Sequence, residues 1–263
     1  MTLTRIVLFV VAVALASASA SAQGGSSDDN ILYPQPALPV YIGPEIGYAI
    51  YDIDASFVVG DDGRACAFFS DAEGTGPTIG MRSFVYLTPW VIASARVRYE
   101  PRHARFLTPL DPEPVRDAND SIVMLTREGQ ADATISTFTF DLRVGLDLFE
   151  SGFYVAGGVA GSLVGSSFYD YTERITGPPG FVFGESQQDE IALLTAQAFD
   201  NSESFVIEAR AGVGILYSVG PLVLNPEFGY TYPLNSLLAP PDTMTYRGFS
   251  GSFAMLFKFG ELF

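Results

Sequence analysis

A period of two that recurs eight times limits what this chain can become. Over residues 136–149, Phe138, Phe140, Leu142, Val144, Leu146 and Leu148 alternate with Thr137, Thr139, Asp141, Arg143, Gly145 and Asp147. Successive side chains of a strand point to opposite faces, so strict alternation reads as a strand whose faces meet different surroundings. The same reading holds for residues 42–53, 78–87, 90–100, 153–169, 205–217, 222–232 and 248–263. Each has the length, about 9–11 residues or more, that a tilted strand needs to cross a bilayer.

The connections alternate too. Short Pro- and Gly-bearing links join the second segment to the third, the fourth to the fifth and the sixth to the seventh. Long ones, 54–77, 101–134, 170–203 and 233–247, separate the rest. An up-and-down antiparallel barrel places all the turns at one end and all the long loops at the other. In the third long loop, Ser186 and Asp189 stand as a capping box before "EIALLTAQAF", which predicts a short helix over 186–199 or else irregular loop.

Period alone does not say which face meets water. A soluble, lipocalin-like barrel holds its apolar face inside. A membrane barrel turns it out to lipid. Charge decides between them. The polar faces carry Glu45, Asp141, Asp147, Glu208 and Glu227 against Arg82, Arg96, Arg98, Arg143, Arg210 and Lys258, which is near balance. The rest of the chain is strongly acidic, within a formal net charge of −16. A solvated face has no need of that balance. A narrow lumen has, because an unpaired charge there is costly. The remaining polar-face residues are small (Gly47, Ala49, Ser94, Gly145, Gly212), which leaves room for arginine side chains inside eight strands. Aromatics gather at segment ends, among them Tyr99, Phe149, Phe153, Tyr217, Tyr230, Tyr232 and Phe263, as in interfacial girdles.

Arg5, the apolar run 6–15 and "ASASASAQ" make a secretory signal peptide over residues 1–22, cleaved after Ala22. Residues 23–39 read as a flexible periplasmic leader and 40–263 as the barrel domain. Cys66 is the one cysteine, so no internal disulfide forms. The acidic charge opposes nucleic-acid binding. No motif for a metal, a cofactor or a nucleotide is present, and none is expected to bind.

On these residues the chain resembles small outer-membrane β-barrel proteins of Gram-negative bacteria, of the OmpA/OmpX and PorT-like kind. "PVYIGPEIGY" is similar to their first strand and "FAMLFKFGELF" to their closing strand, over residues 40–263 in all. The resemblance implies that Phe253, Phe257, Phe259 and Phe263 form the signal read by the barrel-assembly machinery. It also implies periplasmic chaperones and outer-membrane lipid as partners.

The expected fold is therefore all-β: an eight-stranded antiparallel up-and-down transmembrane barrel with long extracellular loops. The expected function is structural or surface-interacting, with the lumen plugged by its own side chains. Lys258 is expected to point into that lumen beside Glu45 or Glu227. The acidic loops (Asp54, Asp61, Asp62, Asp71 and Glu73 in the first; Asp170, Glu173, Glu185, Asp189, Glu190, Asp200 and Glu203 in the third) suit solvated surface, loose divalent-cation binding or an unidentified extracellular partner. A pore and a lipid-modifying enzyme are the alternatives. For the enzyme, His103 is the lone histidine, and no serine follows it two residues on. The reading is that the protein is not an enzyme.

Overall fold

The computed structural model describes residues 38–61, 64–117, 120–148, 151–184, 187–199 and 201–262. The expected signal peptide, nearly all of the leader, and Phe263 lie outside them. The strands are β1 (Leu38–Asp61), β2 (Arg64–Tyr86), β3 (Val91–Arg116), β4 (Ile122–Asp147), β5 (Phe153–Gly177), β6 (Glu190–Ala198), β7 (Phe205–Ile215), β8 (Tyr217–Val219), β9 (Leu222–Pro233) and β10 (Thr243–Leu262). β1 begins two residues inside the segment expected to be leader.

Antiparallel pairing runs β1-β2-β3-β4-β5-β7-β9-β10 and returns to β1, so eight staves close into a ring. The seam joins the first and last of the described strands, from Leu38↔Leu262 to Ser56↔Thr243. β7 and β8 form one stave interrupted at Leu216, whose N–H donates to the Gly152 carbonyl at 2.8 Å. β6 lies off the ring and pairs only with β5. The expected eight-stranded up-and-down barrel is what forms.

The long connections differ from expectation. Residues 54–77 are mostly strand: β1 and β2 stay paired up to Asp61↔Arg64. Likewise β3 and β4 stay paired up to Arg116↔Ile122. These segments read as loops because their charges face outward and their inward residues are apolar, the reverse of the lower staves. The helix expected over 186–199 is instead β6, whose edge bonds to β5 between Phe168↔Ala198 and Arg174↔Glu190. Sheet pairing there outweighs local helix propensity.

The inversion organises the molecule. Toward the end with the tight turns, called the near end, the outer faces are apolar: Ile46, Ile79, Val97, Leu142, Val213 and Phe253 are exposed. The interior of this half is charged. Toward the other end, the far end, the interior is a continuous apolar cluster that includes Tyr51, Phe57, Phe69, Phe106, Tyr171 and Met244. Phe57 stacks on Phe69 at 5.3 Å between centroids and meets Phe106 edge-on at 5.1 Å. Along β3 the inward series changes from Arg98, Glu100 and Arg102 to Ala104 and Phe106. Along β4 it changes from Asp141 and Thr139 to Ile135 and Ala133. A smaller apolar cluster of Phe84, Ile92, Tyr154, Val223, Ala254 and Leu256 lies inside the near end.

Candidate functional site

The charged layer of the lumen lies between these two apolar clusters. It is built from alternate residues on the inner faces of the staves. β1 supplies Glu45 and β2 supplies Arg82. β3 supplies Arg96, Arg98, Glu100 and Arg102, four successive inward positions. β4 supplies Asp141 and Arg143, β7 Glu208 and Arg210, and β9 Asn225 and Glu227. All are buried.

Two carboxylates act as hubs. Glu227 accepts hydrogen bonds from Arg82 (3.3 Å), Arg96, Arg143 (2.9 Å) and the Tyr154 hydroxyl (2.6 Å). Its donors come from β2, β3, β4 and β5, so one side chain ties β9 to the opposite wall. Glu208 accepts from Arg102 (3.1 Å), Arg210 (2.7 Å), Ser162 (3.3 Å) and Tyr246. Arg82 also grips Glu45 with two nitrogens, Nε at 3.0 Å from Oε2 and Nη2 on Oε1. Such fork-to-fork pairs fix direction as well as charge. Arg143 makes the same kind of grip on Asp141. Asp141 links the two halves, lying 3.5 Å from Arg98 and 3.9 Å from Arg210. Nε of Arg98 and Nε and Nη1 of Arg102 have no protein acceptor among the described residues. Arg102 is instead stacked over the Tyr246 ring at 3.7 Å and the Tyr51 ring at 5.0 Å, a cation–π lid on the layer.

The structure brings together Glu45, Arg82, Arg96, Arg98, Asp141, Arg143, Glu208, Arg210 and Glu227. Asp147 is buried but sits apart at the near end, accepting from Tyr86 at 3.1 Å and from the Gly152 N–H at 3.0 Å. Lys258 is a correction. It is exposed, paired across the seam from Tyr41 near the C-terminal end of β10. Its inward parity carries it past the floor of the lumen, and the carboxylates expected to receive it are held by Arg82, Arg96 and Arg143. The alternation missed Glu100 and Arg102, which complete the upper half of the network. Their signal was present: the parity of Arg96 and Arg98 falls on Glu100, the last residue of the expected strand, and across Pro101 on Arg102.

Phe253, Phe257 and Phe259 are exposed on the outer face of β10. His103 is exposed on the outer wall, Nδ1 3.1 Å from Thr134 Oγ1, and does not reach the lumen. No group of three or more potential metal-ligating side chains occurs among the described residues. On the outer wall beyond the apolar faces, Arg105 pairs with Asp132 at 2.7 Å and Arg247 with Asp52 at 2.8 Å. Those hydrogen bonds raise both guanidiniums further above their ordinary pKa.

No family model matches the chain, and no curated protein matches it. Solved structures give distant likenesses. The crystal structure of Neisserial surface protein A is 13% identical, with 84% of this chain and 97% of that one covered, at a TM-score of 0.31. The outer membrane protein OprG from Pseudomonas aeruginosa is 9% identical over 85% and 97%, at 0.38. The outer membrane protein AlkL in lipid bilayers is 12% identical over 90% and 97%, at 0.38. At such identities and scores these likenesses add nothing to what the ring of strands itself shows.

Proposed function

We propose that the protein is an integral β-barrel of a bacterial outer membrane, sealed along its axis, that acts structurally or through the surface of its far end. One observation carries this reading. Three groups of buried side chains lie along the lumen and support it: an apolar cluster at the near end, an arginine–carboxylate network and an apolar cluster at the far end. Eight staves enclose an interior just wide enough for side chains, and here side chains of all three kinds occupy it. The apolar outer faces support insertion in lipid. Export through a cleaved signal peptide and insertion by the barrel-assembly machinery belong to the same proposal. So does the absence of enzymatic activity: the polar side chains of the lumen are engaged with one another, and His103 lies apart from them, across the strand pair from Thr134.

The test is electrical. Purified protein added to a planar bilayer is expected to leave conductance at the level of the protein-free membrane. Discrete, reproducible channel openings would replace the sealed barrel with a pore. Enzymatic activity is tested separately, by comparing the lipid A mass profile of cells expressing the protein with that of cells expressing His103→Ala. Identical profiles are expected.

A further inference from the structure

The outer wall and the interior change polarity at the same level. On the outside, Ile50 gives way to Asp52 on β1, Phe249 to Arg247 on β10, and Tyr99, past Pro101, to His103 on β3. Phe138 gives way to Ser136 on β4, and Phe205 at the head of β7 is preceded by Ser204. On the inside, Glu45 is followed past Gly47 by Ala49 and Tyr51, Arg102 by Ala104, Thr137 by Ile135, and Glu208 by Val206.

These reversals have one physical cause in common. An apolar core stabilises a fold only where water lies outside it, because the hydrophobic effect is a transfer out of water. Within hydrocarbon that driving force is absent, and a polar core is kept because its alternative is polar groups in lipid. A barrel that switches both faces at one level is a barrel whose solvent changes there. The apolar outer stretches below the switch have about the 9–11 residues that cross hydrocarbon. Two cavities of about 270 and 170 Å³ flank Arg247 on the switch itself; Asp52 lines both, with Tyr230 and Phe249 in the first and Asp54 and Tyr232 in the second. Aromatic rings beside paired charges suit the headgroup layer of a bilayer.

We propose that the lipid headgroups meet the barrel along this line, touching Asp52, Glu73, His103 and Arg247, and that everything beyond it stands in water as a soluble-type extension of the wall, packed on its own apolar core. The proposal rests on the membrane reading above. It makes an unobvious claim about Phe68 and Met124, which are exposed and apolar yet lie beyond the line: neither touches lipid.

The test replaces Trp90, the one tryptophan of the chain, with phenylalanine. It then places single tryptophans at Phe138 and Phe249 below the line and at Phe68 and Met124 above it. Each variant that keeps heat-modifiable migration enters phosphatidylcholine vesicles, with or without bromine on the acyl chains. The duplicate position at each level serves if one variant does not fold. Inside the hydrocarbon, roughly 30 Å thick, bromine is expected to lower emission about twofold at 138 and 249. It is expected to leave 68 and 124 unchanged, while iodide added to the outer solution quenches those two. Equal bromine quenching at 68 and 124 would overturn the proposal and leave the membrane barrel standing. No bromine quenching at any of the four would remove the membrane reading as well.

Discussion

Glu227 accepts from four side chains on four other staves, and its position shows what the network contributes. A buried ion pair is weak evidence of net stability, because desolvation opposes the attraction. Removing one member is different, since it leaves guanidiniums buried without a counter-charge. Glu227→Ala is therefore expected to destabilise the folded barrel by about 3–5 kcal/mol, read as a lower urea midpoint in vesicles. Asp132→Ala breaks an ion pair of similar length on the outer wall, where Arg105 is 62% and Asp132 39% exposed. There the expected loss is about 1 kcal/mol or less. Equal losses at the two sites would mean that the lumen is solvated and open. Most of the network was legible, because an acid or arginine at inward parity in a lipid-facing strand has few alternatives. The tyrosines that finish it (Tyr51, Tyr154 and Tyr246) were not, since tyrosine suits either face. Lys258 was misplaced for a geometric reason: parity gives the direction of a side chain but not whether the wall extends far enough to enclose it.

At the scale of elements, the lower staves were readable and the hairpins were not. β3 and β4 each run 26 residues. At about 3.3 Å per residue and a tilt of about 40°, that reaches some 65 Å along the axis, more than twice the apolar band of about 25 Å that such barrels present. The excess keeps its alternation but exchanges its faces, so the inward charges that mark the lower staves give way there to apolar residues such as Ala104, Phe106, Ala131 and Ala133. Past Phe106, β3 has no ladder to β2 among the described residues, which leaves an open edge over 107–116. Pro109, Pro112 and Pro114 lie on it. Proline offers no N–H to an incoming strand, and prolines are a common protection for such edges. Replacing Pro109 and Pro114 together by valine is expected to convert a substantial fraction of detergent-solubilised monomer into dimers and larger species, measured by light scattering behind a sizing column. An unchanged monomer peak would show that the edge is protected by something else. The short turns were read correctly for a simpler reason. Gly152 at φ 78° and Gly220 at φ 61° adopt a left-handed backbone that glycine supplies without strain.

For the whole molecule, closure is the property that the individual strands do not reveal. Alternation predicts strands, and the count of eight with alternating connection lengths predicts a ring. The exchange of polarity along a single wall is not predicted, because soluble and membrane barrels are alternative readings of the same alternation. A closed ring predicts heat-modifiable migration: unboiled protein in a detergent gel is expected to run apart from boiled protein as one discrete band. A single shared position before and after boiling would argue against a closed barrel. Closure also has a consequence in time. The pair Asp52–Arg247 joins residues 195 positions apart, and every rung of the seam has a comparable span. No partial chain can complete that seam, however much of it has emerged. Until β10 arrives, both boundary strands remain adhesive and must be shielded. Sealing thus waits for β10, and a chain cut short before it yields an open sheet, with no smaller vessel as an intermediate.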